Sequence, residues 1–124
     1  LVESICFGAK AINERFLDEG LKIEEIVGVG GVADKSPYVM QTLADVLQSS
    51  IKVSAAEQSG ALGCAMYASV CAGIHNRMEE AVKVMGKGFK KVYEPDDRLA
   101  DIYAKRYNSY RKLGSFVEDE LSQK

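Results

Sequence analysis

Residues 26–45 read I-V-G-V-G-G-V-A-D-K-S-P-Y-V-M-Q-T-L-A-D, and this stretch limits the fold more than any other part of the 124-residue chain. Ile26, Val27 and Val29 are stiff at χ1 and suit a strand covered on both faces. Gly30 and Gly31 then free the backbone from the limits a Cβ imposes, so the strand is expected to run from Ile26 to Val29 and to end in a turn. A polar bend follows, and a helix is expected to open at Ser36 and Pro37. The serine is placed to cap the first free N–H groups, and proline fits the first helical position because its missing donor has no partner there anyway. A phosphate can sit at such a corner, held by backbone N–H groups with no side chain in the way. From the corner alone, a phosphate cradle and a plain tight turn are equal readings.

The rest of the chain builds around this unit. The helix from Pro37 to Leu47 is expected to bury a stripe of Val39, Met40, Leu43, Val46 and Leu47. Ile51 to Val53 reads as a second strand, reached after a full helix, and so parallel to the first by a right-handed crossover. Upstream, Ile5, Ala9, Ile12 and Phe16 recur at helical spacing in a helix from Leu1 to Asp18 that closes at Gly20. Downstream, residues 57–72 read as a helix rich in small residues. Its Gly60 and Gly63 call for close approach by another backbone or by a ligand, because glycine inside a helix costs about 1 kcal/mol relative to alanine.

Gly73 ends that helix, Asn76 is placed to cap a short one from Met78 to Met85, and residues 86–94 read as a polar connector stopped by Pro95. From Leu99 a terminal helix carries Tyr103, Tyr107, Tyr110, Leu113, Val117 and Leu121 on one stripe, with a break near Gly114. The tyrosines read as packing residues with a wet rim.

Charge and cysteine content narrow the function class. A net charge of -2 gives no general attraction to nucleic acid or anionic lipid. No apolar run is long enough to span a membrane. Cys6, Cys64 and Cys71 form no C-x-x-C and are expected to be buried reduced thiols, which places the protein in the cytoplasm. The start at Leu1, without methionine, suggests a processed or excised chain.

No complete catalytic set is visible. Gly28, Gly30 and Ala33 satisfy G-x-G-x-x-A, but the expected late helix start and the absence of an acid after Val53 and Ser54 argue against a dinucleotide site. No P-loop is present. His75 has no nearby cysteine or acid cluster and is no metal ligand by spacing. Asp45, Glu57, Asp96 and Asp97 offer carboxylates without a fixed partner. Asp45 lies near a helix C-terminus, where the dipole disfavours an acid, so either a cross-link to a neighbouring loop or simple exposure must explain it. Gln41 on the same helix is equally open.

Taken together, G-G-V-A-D-K-S-P-Y-V-M-Q-T-L-A-D-V-L, then I-K-V-S, then E-Q-S-G-A-L-G-C-A-M-Y-A resemble the carboxy-terminal part of the FGGY carbohydrate kinases. The later K-V-Y-E-P-D and the tyrosine-bearing helix are most similar to the ribulokinase branch. The resemblance covers nearly the whole chain. It implies an α/β fold, part of an actin-like (ribonuclease H-like) ATPase domain with two parallel strands, crossover helices and a C-terminal helix. Residues 1–124 are then a single domain or a domain fragment.

The resemblance also implies ATP and Mg²⁺ as cofactors, with the metal held mainly by the phosphates and by upstream residues. Gly30 and Gly31, leading into Val32, approach the phosphates and ribose. Lys35, at a position often asparagine in relatives, lies by the adenine, where its stem can cover the base. Catalytic and metal-binding residues are expected elsewhere in the whole enzyme, which would phosphorylate a ketopentose such as ribulose. Xylulose or glycerol as acceptor, or a noncatalytic actin-like module, are the alternatives. The implied partners are ATP and a small sugar, with no nucleic acid or membrane and with a homo-oligomer left open. Apolar surface is expected to be exposed where missing strands would lie.

Overall fold

The structure is a computed structural model that describes residues 1–122. Its elements are α1 (Val2–Asp18), β1 (Ile26–Gly28), α2 (Gly30–Lys35), α3 (Pro37–Leu47), β2 (Ile51–Ser54), α4 (Ser59–Cys71), α5 (Met78–Met85), β3 (Phe89–Tyr93) and α6 (Ala100–Ser122), with a 3₁₀ turn over Asp97–Leu99. The sheet order is β1-β2-β3. β1 and β2 are parallel, with Ile26 beside Ile51 and Gly28 beside Val53, as the intervening helix required.

β3 pairs antiparallel with β2, which corrects the reading of residues 86–94 as a connector. Four of its five residues are exposed and only Tyr93 is buried. It is an edge strand whose lysines mask the alternation that marks a half-buried one.

α3 is the central layer. Met40 and Ala44 pack with Ala33 on Ile51, Val53 and Tyr93. Val46, on the other side, packs with Cys6 and Phe7 of α1 and Tyr107 of α6. Leu43 touches both clusters. Of the expected α3 stripe, Met40 and Val46 are buried and Val39, Leu43 and Leu47 are half-buried. Ile51 is fully buried, worth about 2 kcal/mol of apolar transfer.

α1 has the expected length, and Gly20 follows it at φ +82°. Its inward face differs from the expected one. Ile5 and Ile12 are 64% and 61% exposed, while Cys6 and Phe7 are buried. The reason lies in the partners. The Phe7 ring centroid stands 5.8 Å from that of Tyr107, 5.6 Å from that of Tyr110 and 6.5 Å from that of Tyr103. Lys10 Nζ donates to the Val46 carbonyl at 3.1 Å. The tyrosines of α6 are therefore packing residues with polar rims: the Tyr107 hydroxyl donates to Glu14 at 2.6 Å. Burial and that bond push the phenol up to about 12.

α6 runs unbroken through Gly114, and only its first half is packed; Leu113, Val117 and Leu121 are exposed. With Ile5, Ile12 and Phe16 they leave broad apolar surface open. An opening of about 580 Å³ lies between the sheet and α4 and α5, bordered by Val27, Val29, Leu62, Met66, Val82 and Phe89.

Three local expectations about α4 and α5 are corrected. Gly60 and Gly63 have open space where a Cβ would stand, so no backbone among the described residues approaches them. Cys64 and Cys71 are exposed, because α4 buries only Met66 and Ser69 on the side facing α5; Cys6 alone is buried, and burial pushes its thiol up. All three thiols are free. The N-cap of α5 is Arg77 rather than Asn76, and Glu80 reaches back to accept from the Asn76 N–H at 3.0 Å.

No described helix is long and apolar enough to cross a membrane.

Candidate functional site: a glycine-lined cleft at the strand ends

The corner after β1 differs in one respect from the sequence reading. A short helix, α2, opens at Gly30, directly after the strand, and α3 follows at Pro37. Pro37 takes the expected first position, but the Ser36 side chain makes no capping bond; its carbonyl accepts from the Met40 N–H at 3.2 Å. The late helix start thus falls away as an objection to a dinucleotide fingerprint. The other objection stands, since β2 ends in Val53 and Ser54 without an acid.

Each glycine has its own cause. A Cβ on Gly28 would lie 2.8 Å from the Met40 methyl and 3.2 Å from the Ala33 Cβ, so a bare backbone lets α2 and α3 close onto the strand. Gly30 has φ +85°, a conformation that a side chain opposes. Gly31 has neither constraint, and its Cβ position faces open space.

A cleft of about 530 Å³ opens here, at the carboxyl ends of the two parallel strands. Gly28 to Gly31 form one wall, and Val53, Ser54 and Ala56 form another. Asp34, Lys35, Glu57 and Lys90 supply its charged side chains. Ligands of open α/β sheets bind outside such strand ends. Of the residues singled out from sequence, Gly30, Gly31 and Lys35 line the cleft. Val32 does not; it stands 63% exposed on α2. Lys90 was missed, because it lies on the strand that read as a connector. It pairs with Asp34 across the cleft.

Of the carboxylates outside the cleft, Asp45 and Asp96 have structural partners. Asp45 is buried, and its Oδ1 accepts from Gln41 Nε2 and from the Asp96 N–H, each at 2.9 Å. Gln41 Nε2 also donates to the Glu94 carbonyl at 2.7 Å. Asp45 and Gln41 are therefore the cross-link to a neighbouring loop, tying the β3–α6 connection to α3. Asp96 accepts from the Arg98 N–H and guanidinium, which holds its carboxyl below the usual range. His75 stands 3.9 Å from Glu80 at the start of α5. Among the described residues no three His, Cys, Asp or Glu side chains gather to hold a metal.

Known proteins match this chain along nearly its whole length. It is 41% identical over 118 residues to the ribulokinase of Vibrio parahaemolyticus, covering 95% of this chain and 21% of that protein. It is 38% identical over 120 residues to the ribulokinase of Bacillus licheniformis, covering 94% and 22%. The chain thus spans about a fifth of the length of these relatives. Among solved structures, a ligand-bound xylulose kinase from Lactobacillus acidophilus superposes with a TM-score of 0.82 at 24% identity, over 94% of this chain and 23% of that one. A Plasmodium falciparum glycerol kinase with ADP superposes with a TM-score of 0.70 at 20% identity, over 90% and 22%. These two show a common fold, and it is the one expected from the sequence. Residues 1–72 match the FGGY family of carbohydrate kinases, C-terminal domain. The chain belongs to that family.

Proposed function

We propose that the chain forms the nucleotide-binding side of an ATP-dependent sugar kinase whose acceptor is a ketopentose of the ribulose type. The observation that carries this reading is the cleft at the ends of β1 and β2, walled by Gly28 to Gly31. Its volume suits a cofactor, since small-molecule sites run from about 300 to 1,000 Å³. Gly30 and Gly31 present backbone to the phosphates and ribose without a side chain in the way, and Val32 follows them on the outer face of α2. Lys35 lies at the cleft wall, where its four-carbon stem can cover the base and its ammonium stay in water.

When bound, ATP supplies the γ-phosphoryl group, and Mg²⁺ neutralises its phosphate oxygens. The described residues fit the nucleotide better than the metal: the cleft has two carboxylates, and one of them, Asp34, is already paired. The metal is therefore held mainly by the phosphates and by the rest of the enzyme. The proton acceptor for the sugar hydroxyl and the sugar pocket belong to the part of the relatives that this chain does not cover. The ribulose assignment draws on the names of the two relatives above. The remainder of the proposal is a cytoplasmic enzyme with ATP and a small sugar as partners, in which residues 1–124 are all or part of one domain.

The test is sugar-dependent ADP formation by the full natural protein that contains this chain, with ribulose, xylulose and glycerol as acceptors. The expected result is the highest kcat/KM with ribulose. A preference for xylulose or glycerol would replace the substrate, and ATP binding with no transfer to any sugar would indicate a noncatalytic module.

A further inference from the structure

We propose that Lys90 is the cation this cleft offers to the nucleotide phosphates, held by Asp34 until the polyanion displaces that carboxylate. The proposal rests on the nucleotide reading of the cleft and names a residue which that reading does not include.

Three observations carry it. First, Lys90 is the odd residue of β3. The register pairs Val53 with Lys91 and Ser54 with Phe89, so Lys90 is the extra residue of a bulge. Bulges re-aim a side chain and recur beside functional sites. Here the bulge lies opposite the end of β2, and Lys90 lines the cleft from the side facing α2.

Second, its partner is on the glycine corner itself. The Lys90 ammonium pairs with the carboxylate of Asp34, one turn along α2 from Gly30, so the pair spans the cleft within reach of the glycine wall. Third, the pair is easily given up. Both side chains are about two-fifths exposed, and an ion pair in that setting contributes little to stability. A triphosphate concentrates more negative charge than one carboxylate and accepts charge-assisted bonds from the same ammonium. The four charged side chains of the cleft are balanced, Lys35 and Lys90 against Asp34 and Glu57. A polyanion therefore meets no net repulsion from the cleft, and the cost of releasing Lys90 from an exposed pair is small.

The experiment uses the full natural protein with ATP and adenosine as probes, adenosine having no phosphate. Lys90→Gln is expected to weaken ATP about tenfold, the loss of one charge-assisted bond, and to leave adenosine unchanged. Lys90→Arg is expected to restore ATP binding. Asp34→Asn, which frees the ammonium, is expected to tighten ATP by a few fold, again without effect on adenosine. A clasp that only held β3 to α2 would give another pattern. Lys90→Gln and Asp34→Asn would then weaken both probes alike, and that result overturns the proposal. If Gly31→Asp weakens ATP while Lys90→Gln does not, the Lys90 assignment fails and the nucleotide site survives. If neither variant affects ATP, both fail.

Discussion

Replacing Asp45 by alanine should destabilise the fold by about 3 kcal/mol, although the residue is remote from the cleft. Asp45 is 4% exposed, and its carboxylate receives two hydrogen bonds of 2.9 Å, from Gln41 and from the Asp96 N–H. Bonds to a charged group are each worth about 1.5 to 3 kcal/mol, and a donor left without a partner adds to the loss. Two terms limit the total. Gln41 keeps its bond to the Glu94 carbonyl, and alanine removes the desolvation cost of a buried carboxylate. About 3 kcal/mol remains, roughly 12 °C in Tm for a domain of this size.

The loop released is the one that delivers α6 to the Phe7 cluster, so the variant should lose α6 packing before it loses the sheet. The chain has six tyrosines and no tryptophan, and Tyr103, Tyr107 and Tyr110 surround Phe7. Tyrosine fluorescence followed through a urea titration therefore reads this event directly. Asp45→Asn keeps an oxygen acceptor without the charge and should cost about 1 kcal/mol. An Asp45→Ala midpoint within 0.5 kcal/mol of wild type, a limit of about the size seen at surface sites, would refute the view that this carboxylate holds the loop.

Other outcomes follow from the same geometry. The Tyr107 phenol sits at about 12 in the folded protein against an ordinary 10.0, so its contribution is fully present below pH 10 and is lost as pH rises from 10 to 12. A stability profile of Tyr107→Phe should lack that alkaline decline; an unchanged decline would assign it to another group. Gly30→Ala should cost about 1 to 2 kcal/mol because φ is +85°, whereas Gly31→Ala should be neutral or stabilising by up to about 1 kcal/mol. Equal melts for the two variants would contradict the turn geometry. The 124-residue chain by itself should form no ADP in a sugar-dependent manner, and sustained turnover by the purified chain would overturn the division of labour proposed above.

The parts of the fold legible in sequence were those in which local chemistry and packing agree. Ile26 and Val27, Pro37 at the first turn of α3, and Ile51 to Val53 each have one physical reading, and together they define a parallel strand-helix-strand unit. β3 was hidden because an edge strand tolerates lysine on both sides, so Lys90 and Lys91 erased the period of two. α2 was hidden because paired glycines oppose a helix on propensity, and its support comes from Ala33 packing on the sheet.

On α1 two apolar stripes compete. Only the partners decide between Ile5 with Ile12 and Cys6 with Phe7, and those partners are α3 and the distant α6. The burial expected of Cys64 and Cys71 fails for the same reason, since among the described residues α4 has a neighbour on one side only. Within the cleft, Gly30, Gly31 and Lys35 are close in sequence and could be grouped; Lys90 is 55 residues beyond Lys35 and meets them only through the bulge in β3.

If the glycine corner receives the phosphates of ATP, Gly31 is the position at which this can be read, because a Cβ there meets open space and no left-handed φ. In the full natural protein, Gly31→Ala supplies the steric change and Gly31→Asp adds a negative charge beside the proposed phosphate position. Titrations with ATP and with sugar, alongside a melt of each variant, separate binding from folding. The aspartate variant is expected to bind ATP at least about tenfold more weakly than the alanine variant, a difference of about 1.4 kcal/mol, with sugar affinity nearly equal in both. Equal ATP affinity in two folded variants would contradict it and leave the glycine pair as a turn.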